Sequence, residues 1–187
     1  MDLPTDRECF RIIRKMEMMD HIVDHSVMVS NVAVCLGLNI KKKKHCINID
    51  LVRKAALLHD ITKTRSFSTG EIHSETGASL VVDMGYPEIG EVIRQHVMLD
   101  ELSQDSPVSE PEIVNYADKR VLHDQVVSLD RRLAYIRERY GSRPEFSPMI
   151  DKMWEATLAL EKKIFRYLTF TPAQLPAKVR PSIKKEG

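Results

Sequence analysis

The sequence predicts an all-α fold, built as a bundle of amphipathic helices. Apolar residues recur at helical spacing along most of the 187 residues, whereas the alternation typical of half-buried strands is nearly absent. Hydrophobic residues make up 43% of the chain and charged residues 29%, which suits a globular chain that buries a core. We therefore expect one helical domain over residues 1–170 and a flexible polar tail over residues 171–187.

Three helices are predicted before residue 60. A polar capping residue precedes the first helix, which ends at about Asp20. The second covers about residues 21–37 and carries apolar residues on two adjoining faces, so we expect it to be largely buried. The third carries an apolar run that ends at the pair His59-Asp60.

The rest of the chain alternates polar segments with helical patterns. Residues 62–72 and 97–108 are polar and predict loops. The Gly-Ser-Arg-Pro segment at 141–144 breaks the pattern near the end of the chain. Helices are predicted over residues 74–84, 87–96, 109–127, 129–140 and 146–168.

Charge and cysteine content narrow the function classes. The chain has 28 basic and 27 acidic residues, so it lacks the global positive field of a long nucleic-acid surface. The run Lys41–Lys44 is a local exception, which we interpret as a solvated surface. The three cysteines form no C-x-x-C pair, and free thiols fit a reducing compartment. With an acidic, polar N-terminus and no expected membrane span, the predicted location is the cytoplasm.

The most informative motif is the run Ala-Ala-Leu-Leu-His-Asp-Ile-Thr-Lys at residues 55–63. A His-Asp pair at the end of a buried helix is costly unless something satisfies both side chains. A divalent metal would do so, because imidazole and carboxylate are both ligands of first-row metals. Other histidines and an aspartate are distributed around this pair: His25, His73, His96 and Asp118.

In their order along the chain, from His25 through the His-Asp pair to Asp118, these motifs resemble the HD superfamily of metal-dependent phosphohydrolases. The resemblance spans about residues 19–120 and includes Asn-Tyr-Ala-Asp-Lys-Arg at 115–120. It implies an HD-domain helical bundle with additional C-terminal helices. The chain departs from many relatives at Thr62, where they have glycine. The second His-Asp pair, His123-Asp124, lacks a long apolar run before it, and we expect it to play no part in metal binding.

The resemblance implies a metal centre on the helices of the bundle. Its core ligands would be His25, His59, Asp60 and Asp118. His73 and His96 match the extra histidines of members that hold two metals, with Asp60 bridging; their alternative role is to contact substrate phosphate or donate a proton to the leaving oxygen. A mixed His/carboxylate set suits one or two divalent ions, among them Mn, Fe, Co, Ni, Zn and Mg.

Cationic side chains near the centre are candidates for binding phosphate. Lys63 stands where family members often place a phosphate-binding lysine, and its ammonium would offset charge developing on phosphoryl oxygens. Arg65, Lys119 and Arg120 are weaker candidates for the same task.

The resulting functional hypothesis is an enzyme that cleaves a phosphoester or phosphoanhydride bond, in a small-molecule phosphate such as a nucleotide, by attack of a metal-activated water. Asp60 and Lys63 would carry the catalysis. Two alternatives stay open: a phosphatase or phosphodiesterase acting on RNA ends, and a non-catalytic HD module that binds a nucleotide. The C-terminal helices either close the bundle or form the seam of a homodimer.

Overall fold

The computed structural model describes residues 2–42, 46–141 and 147–182. In this part of the chain the fold is a helical bundle with one short hairpin. The helices are α1 Asp6–Lys15, α2 Asp20–Lys41, α3 Ile49–Leu58, α4 Lys63–Thr69, α5 His73–Asp83, α6 Pro87–Arg94, α7 Glu110–Lys119, α8 Leu129–Tyr140, α9 Ser147–Phe165 and α10 Leu175–Lys178. Strands β1 Val121–Leu122 and β2 Gln125–Val126 form the antiparallel hairpin.

Helix α2 lies at the centre of the bundle and packs against α3 and α7. Small residues let its neighbours come close: a Cβ added at Gly37 would lie 3.0 Å from Cδ1 of Ile49. The hydroxyl of Ser30 also donates to the carbonyl of Arg53 on α3, at 3.1 Å. This packing brings the three elements that carry the predicted core ligands into contact.

The length and composition of α2 would also suit a membrane span, contrary to the expectation that no segment would. Its 22 residues reach a mean hydropathy of 1.3 over an 18-residue window, of which 67% is buried inside the fold. The core helix of a globular fold can have the same length and hydropathy as a membrane span, so these two properties of α2 are weak evidence for a membrane.

Helices α5 and α6 form a tight hairpin beside α3. Gly85, at φ 93°, turns the chain between them, and Pro87 begins α6, where its missing N–H costs nothing. Gly90 allows the close approach, because a Cβ there would lie 3.0 Å from the carbonyl oxygen of Ala78. The hairpin places His73 and His96 at the same end of the bundle.

Two local predictions were wrong. The polar segment 62–72 contains a helix, α4, anchored where the hydroxyl of Thr64 accepts a hydrogen bond from the backbone of Met19, at 3.0 Å. Helix α7 ends at Lys119 instead of continuing to residue 127, because the chain turns into the β1–β2 hairpin.

The segment after residue 170 also differs from the predicted flexible tail. Residues 172–178 form a 3₁₀ turn and α10, and both Phe170 and Leu175 are buried in the core. Ser182 donates two hydrogen bonds to the side chain of Asn31 on α2. The last five residues lie outside the described part, as do Lys43 and Lys44 of the lysine run and residues 142–144.

Candidate metal centre

The four predicted core ligands meet at one end of the α2–α3–α7 core. His25 lies on α2, His59 and Asp60 directly follow α3, and Asp118 lies in the last turn of α7. All four residues are buried. The apolar run of α3 therefore delivers the His-Asp pair into the interior.

The first group of ligand atoms joins three elements. His25 Nε2 lies 3.0 Å from Oδ1 of Asp118, and His59 Nε2 lies 3.8 Å from the same oxygen. One ligand atom from each of His25, His59 and Asp118 lies within 4.8 Å of the others. This spacing is close enough for a single ion to reach all three.

A second group adjoins the first through His59. Its members, His59, Asp60 and His96, also offer atoms within 4.8 Å of one another. Nε2 of His73 lies 3.1 Å from Nε2 of His96 and 3.2 Å from Oδ1 of Asp60. The other oxygen of Asp60 lies 3.3 Å from Nε2 of His59. The two carboxylate oxygens of Asp60 thus face different histidines.

Backbone carbonyls orient three of the rings. Nδ1 of His25, His59 and His96 donates to the carbonyls of His123, Ala56 and Ile93, at 3.0, 2.8 and 2.7 Å. A carbonyl only accepts, so Nδ1 carries the proton and Nε2 is directed into the cluster. Histidine ligands are usually held in this way, with the second nitrogen donating to a carbonyl or carboxylate.

The cluster fits a bound cation. Nε2 of His59 and Oδ1 of Asp60 are buried, and neither has a well-formed hydrogen bond within the described ranges. Leaving such atoms unsatisfied costs about 1–3 kcal/mol each, and a divalent ion would satisfy both. The His and Asp side chains of this centre could therefore hold a divalent metal.

The protonation states of Asp60, Asp118 and His96 suit the same role. Burial raises the pKa of Asp60, but Lys63 and His59 outweigh it and hold the pKa well below its usual range. Lys119 and His25 do the same to the pKa of Asp118. Burial lowers the pKa of His96 to about 4, so this imidazole is neutral at pH 7. Ionised carboxylates and a neutral imidazole are the forms that bind metals.

Two lysines approach the carboxylates from different sides. Lys63, at the start of α4, donates to Oδ2 of Asp60 at 2.9 Å and keeps 26% of its side chain exposed to a cavity. Burial lowers its pKa, but Asp60 and Asp118 outweigh that effect and raise it. Lys119 is buried, and its ammonium donates to Oδ2 of Asp118 and the carbonyl of His96. Only Lys63 of these two is open to both neighbouring cavities.

The side chain of Thr62, at the position where many relatives have glycine, has a structural role. Its hydroxyl donates to the carbonyl of His73 at 2.9 Å and lies 2.9 Å from the hydroxyl of Thr76. The side chain therefore ties the segment after Asp60 to the start of α5, where His73 lies.

Arg120 is not brought to the site, which corrects the predicted phosphate contact. Its guanidinium is buried and donates to Val127, Tyr116, Glu161 and Pro172. Its role is to fasten α7 to the C-terminal segment. Arg65 is not part of the site either: it donates to Glu71 at 2.8 Å, and it lines neither of the two cavities beside the centre.

Two cavities adjoin the centre, and helix α8 contributes to both. The smaller, of about 250 Å³, includes His21, Phe67 and Tyr135 in its wall. The larger, of about 760 Å³, has an apolar wall from α9, formed by Met149, Ile150 and Met153. Residues common to both are Lys63, Arg132, Ile136 and Arg139.

Sequence reasoning missed the residues of α8 and α9, because no motif marks them and only tertiary packing brings them here. It also gave the pair His123-Asp124 no part in metal binding, and so did not place His123 near the centre. The side chain of His123 lines the smaller cavity, and its ring lies edge-on to Tyr135, with 5.6 Å between centroids. Its backbone carbonyl is the acceptor for His25.

A family model described as HD domain matches residues 22–122, more than half of the chain. The chain belongs to the HD domain family. The matched range includes all six of the predicted ligands, and HD domains bind divalent metals at such His/Asp sets. Helices α8 to α10 lie beyond it.

Two similar proteins accompany this match. An uncharacterised protein of Methanocaldococcus jannaschii is 27% identical over 135 residues, which cover 65% of this chain and 79% of the relative. A crystal structure titled as a predicted HD superfamily hydrolase, from an uncultured Thermotogales bacterium, is 23% identical. The superposition covers 87% of this chain and 90% of that one, with a TM-score of 0.44.

Proposed function

We propose that this HD domain protein is a metal-dependent phosphohydrolase that cleaves a phosphoester or phosphoanhydride bond in a nucleotide. The observation that carries the proposal is the buried cluster of six His and Asp side chains beside a cationic lysine and two cavities. Unsatisfied atoms of His59 and Asp60 lie at the middle of this cluster.

His25, His59, Asp60 and Asp118 would hold a first cation, and His73 and His96 would help to hold a second, with Asp60 common to both. The ion would be one of Mn, Fe, Co, Ni, Zn and Mg. When bound, it supplies a water whose pKa falls from about 15.7 toward ~7, which makes a nucleophile without a Ser or Cys.

The chain's own residues bind and orient the substrate. The ammonium of Lys63 would bind phosphoryl oxygens and stabilise the negative charge that grows on them during the reaction. His73 has 23% of its side chain exposed, and its Nε2 is directed toward the centre. It is the histidine best placed to donate a proton to the leaving oxygen if it does not bind a second ion.

The larger cavity supports an organic phosphate as the substrate. Its apolar wall, Met149, Ile150 and Met153, offers no hydrogen-bond donor to an inorganic anion. A flat, partly apolar group such as a nucleobase would pack against such a wall, while its phosphate lies near Lys63.

Replacing Asp60 tests this proposal. We expect Asp60→Ala to lose bound metal and turnover together, because this carboxylate faces histidines on both of its sides. The measurements are elemental mass spectrometry of purified protein and an assay panel of nucleotides and dinucleoside polyphosphates with added divalent ions. Asp124→Ala, in the second His-Asp pair at the exposed turn of the hairpin, is the matched control and should keep both properties. Full metal content and activity in Asp60→Ala would show that the centre is misassigned.

The same panel separates the alternatives. Metal binding without turnover would favour a nucleotide-binding module. Cleavage of RNA ends, with affinity that falls steeply as salt rises, would favour the RNA-directed enzyme. The cytoplasmic location and the homodimer stay predictions from sequence.

A further inference from the structure

One face of α8 lies against both cavities. Arg132, Ile136 and Arg139 are spaced four and three residues apart, so they share that face, and each lines both cavities. These residues lie beyond the range that matches the HD domain. If these residues bind a ligand, that contact comes from the C-terminal part of this chain and not from the segment that matches the HD domain.

The guanidinium of Arg132 is largely covered and has unused hydrogen-bonding capacity. Its side chain is only 12% exposed, and Nη2 lies 3.6 Å from Oδ1 of Asp118, beyond a normal hydrogen bond. Its Nε is buried and has no hydrogen-bond partner among the described residues. The guanidinium carbon lies 5.8 Å from the ring centroid of Tyr135, a contact that does not satisfy Nε–H.

The carboxylates nearby already have closer cationic partners. Lys63 donates to Asp60 at 2.9 Å, and Lys119 donates to Asp118 at 2.7 Å. Within the described ranges, Asp118 is thus the carboxylate that lies nearest to the guanidinium of Arg132, but it does not form a normal hydrogen bond with it. An oxygen of a bound anion would supply the hydrogen bond that Nε lacks, in the geometry that guanidinium favours.

The charge around the larger cavity points to a ligand with several negative charges. Among the described residues, four cationic side chains line it, against two carboxylates: Lys63, Lys119, Arg132 and Arg139 against Glu71 and Asp118. The carboxylate of Asp60, which accepts from Lys63, lies beside it, and the cations still outnumber the carboxylates by one. Glu71 in turn accepts a hydrogen bond from Arg65. Divalent ions would make the balance more positive, so the site suits a polyanion better than a single phosphate.

We propose that Arg132, together with Arg139, binds a second anionic group of the substrate, beyond the phosphoryl group beside Lys63. The preferred substrates are organic phosphates with two or more linked anionic groups, such as diphosphates and polyphosphates. This inference rests on the proposed function, since it assigns the phosphoryl group under attack to the metal centre. Arg139 follows Arg132 by about 10 Å along the helix axis, which extends the cationic surface for a longer anion.

Equilibrium binding of two inorganic probes tests the inference without relying on turnover. The metal-loaded full chain is titrated with pyrophosphate and with orthophosphate by calorimetry. Arg132→Gln should weaken pyrophosphate binding about tenfold or more, because a charge-assisted hydrogen bond is lost. Orthophosphate binding should change by less than about threefold. Arg131→Gln, at an exposed position of the same helix, is the matched control and should bind both probes as the wild type does.

Two further variants keep the test decisive. Arg132→Lys retains the charge without the planar fork, so it should recover only part of the pyrophosphate affinity. Arg139→Gln changes an exposed residue and should weaken pyrophosphate selectively even if Arg132→Gln folds poorly.

Different results would contradict the role of Arg132 and the proposed phosphohydrolase function. If Arg132→Gln loses metal and weakens both probes equally, Arg132 merely positions Asp118 and the inference is wrong. If both Gln variants bind pyrophosphate as Arg131→Gln does, the inference also fails, while the proposed function stands. A wild-type chain that binds neither metal nor orthophosphate would overturn the proposed function itself.

Discussion

At the scale of single residues, the two lysines of the site differ in what surrounds them. Lys63 faces the cavities, whereas both acceptors of Lys119 belong to the metal centre itself, the carboxylate of Asp118 and the carbonyl of His96. Two lysines that each donate to a carboxylate, at 2.9 and 2.7 Å, therefore differ in function: Lys63 can contact a substrate, and Lys119 supports the ligands.

We expect Lys63→Ala to retain its metal but to lose about a hundredfold in kcat/KM, since a cation beside the phosphoryl oxygens is removed. Metal analysis and steady-state kinetics on the same preparation measure the two effects. Lys152→Ala, an exposed lysine of α9, is the control. Loss of metal from Lys63→Ala would instead make this lysine part of the support of Asp60.

The cysteines should differ in reactivity. Burial raises the pKa of the Cys9 thiol to about 12, and the residue is inaccessible, whereas Cys46 is exposed. At pH 8 a thiol with that pKa is about one part in ten thousand thiolate, the reactive form. We expect iodoacetamide to label Cys46 first and to leave Cys9 unlabelled in the native protein, as read by peptide mass spectrometry. Rapid labelling of Cys9 in the native protein would contradict its burial in the core. Labelling of Cys9 after unfolding in urea is the positive control, because it shows that this thiol can react once it is exposed.

At the scale of elements, helix α7 is fastened at both ends. Glu112 accepts from the backbone of Ser109 with one carboxylate oxygen and from Lys163 of α9 with the other, at 2.9 and 2.6 Å. At the other end, Arg120 reaches the carbonyl of Pro172 at 2.9 Å. The helix that carries Asp118 is thereby fixed to the C-terminal elements.

We expect Lys163→Met to lower the free energy of unfolding by about 3–5 kcal/mol, because it leaves the carboxylate of Glu112 buried without its cation. Urea denaturation monitored by circular dichroism measures the change. The double variant Glu112→Gln/Lys163→Met should recover part of the loss, since no charge is then left unpaired. A single variant as stable as the wild type would argue against this pair being buried.

At the scale of the whole molecule, the bundle continues past the HD domain. Ending the chain at Leu168 removes Phe170 and Leu175 from the core, and we expect a loss of about 3 kcal/mol or more in unfolding free energy. A chain ending at Ser182 is the control and should unfold at the same urea concentration as the full chain. If both truncated chains had the same urea midpoint of unfolding, residues 169–182 would contribute nothing to stability, as the predicted flexible tail implies.

The all-α class, the HD domain and the convergence of the six predicted ligands could be derived from sequence, because the ordered motifs fix them locally. The side of the helix on which Arg120 lies could not be judged by nearness to Asp118. Arg120 follows the end of α7, and its guanidinium donates to the carbonyls of Val127 and Pro172 instead of reaching the centre, contacts that only the folded chain brings within reach. Arg132 was missed for the opposite reason: it is far from the motifs along the chain and near them only through packing.

His123 shows a limit of reading function from side chains. The residue adopts a left-handed backbone at φ 54°, a conformation in which Asn, Asp and His occur more often than other residues that have a side chain, and the hairpin holds it there. What reaches His25 is its carbonyl, a group that every amino acid has. Evolution can therefore exchange residue 123 among the residue types that tolerate a left-handed backbone while preserving its contribution, so a comparison of related sequences would score an important contact as a partly variable position.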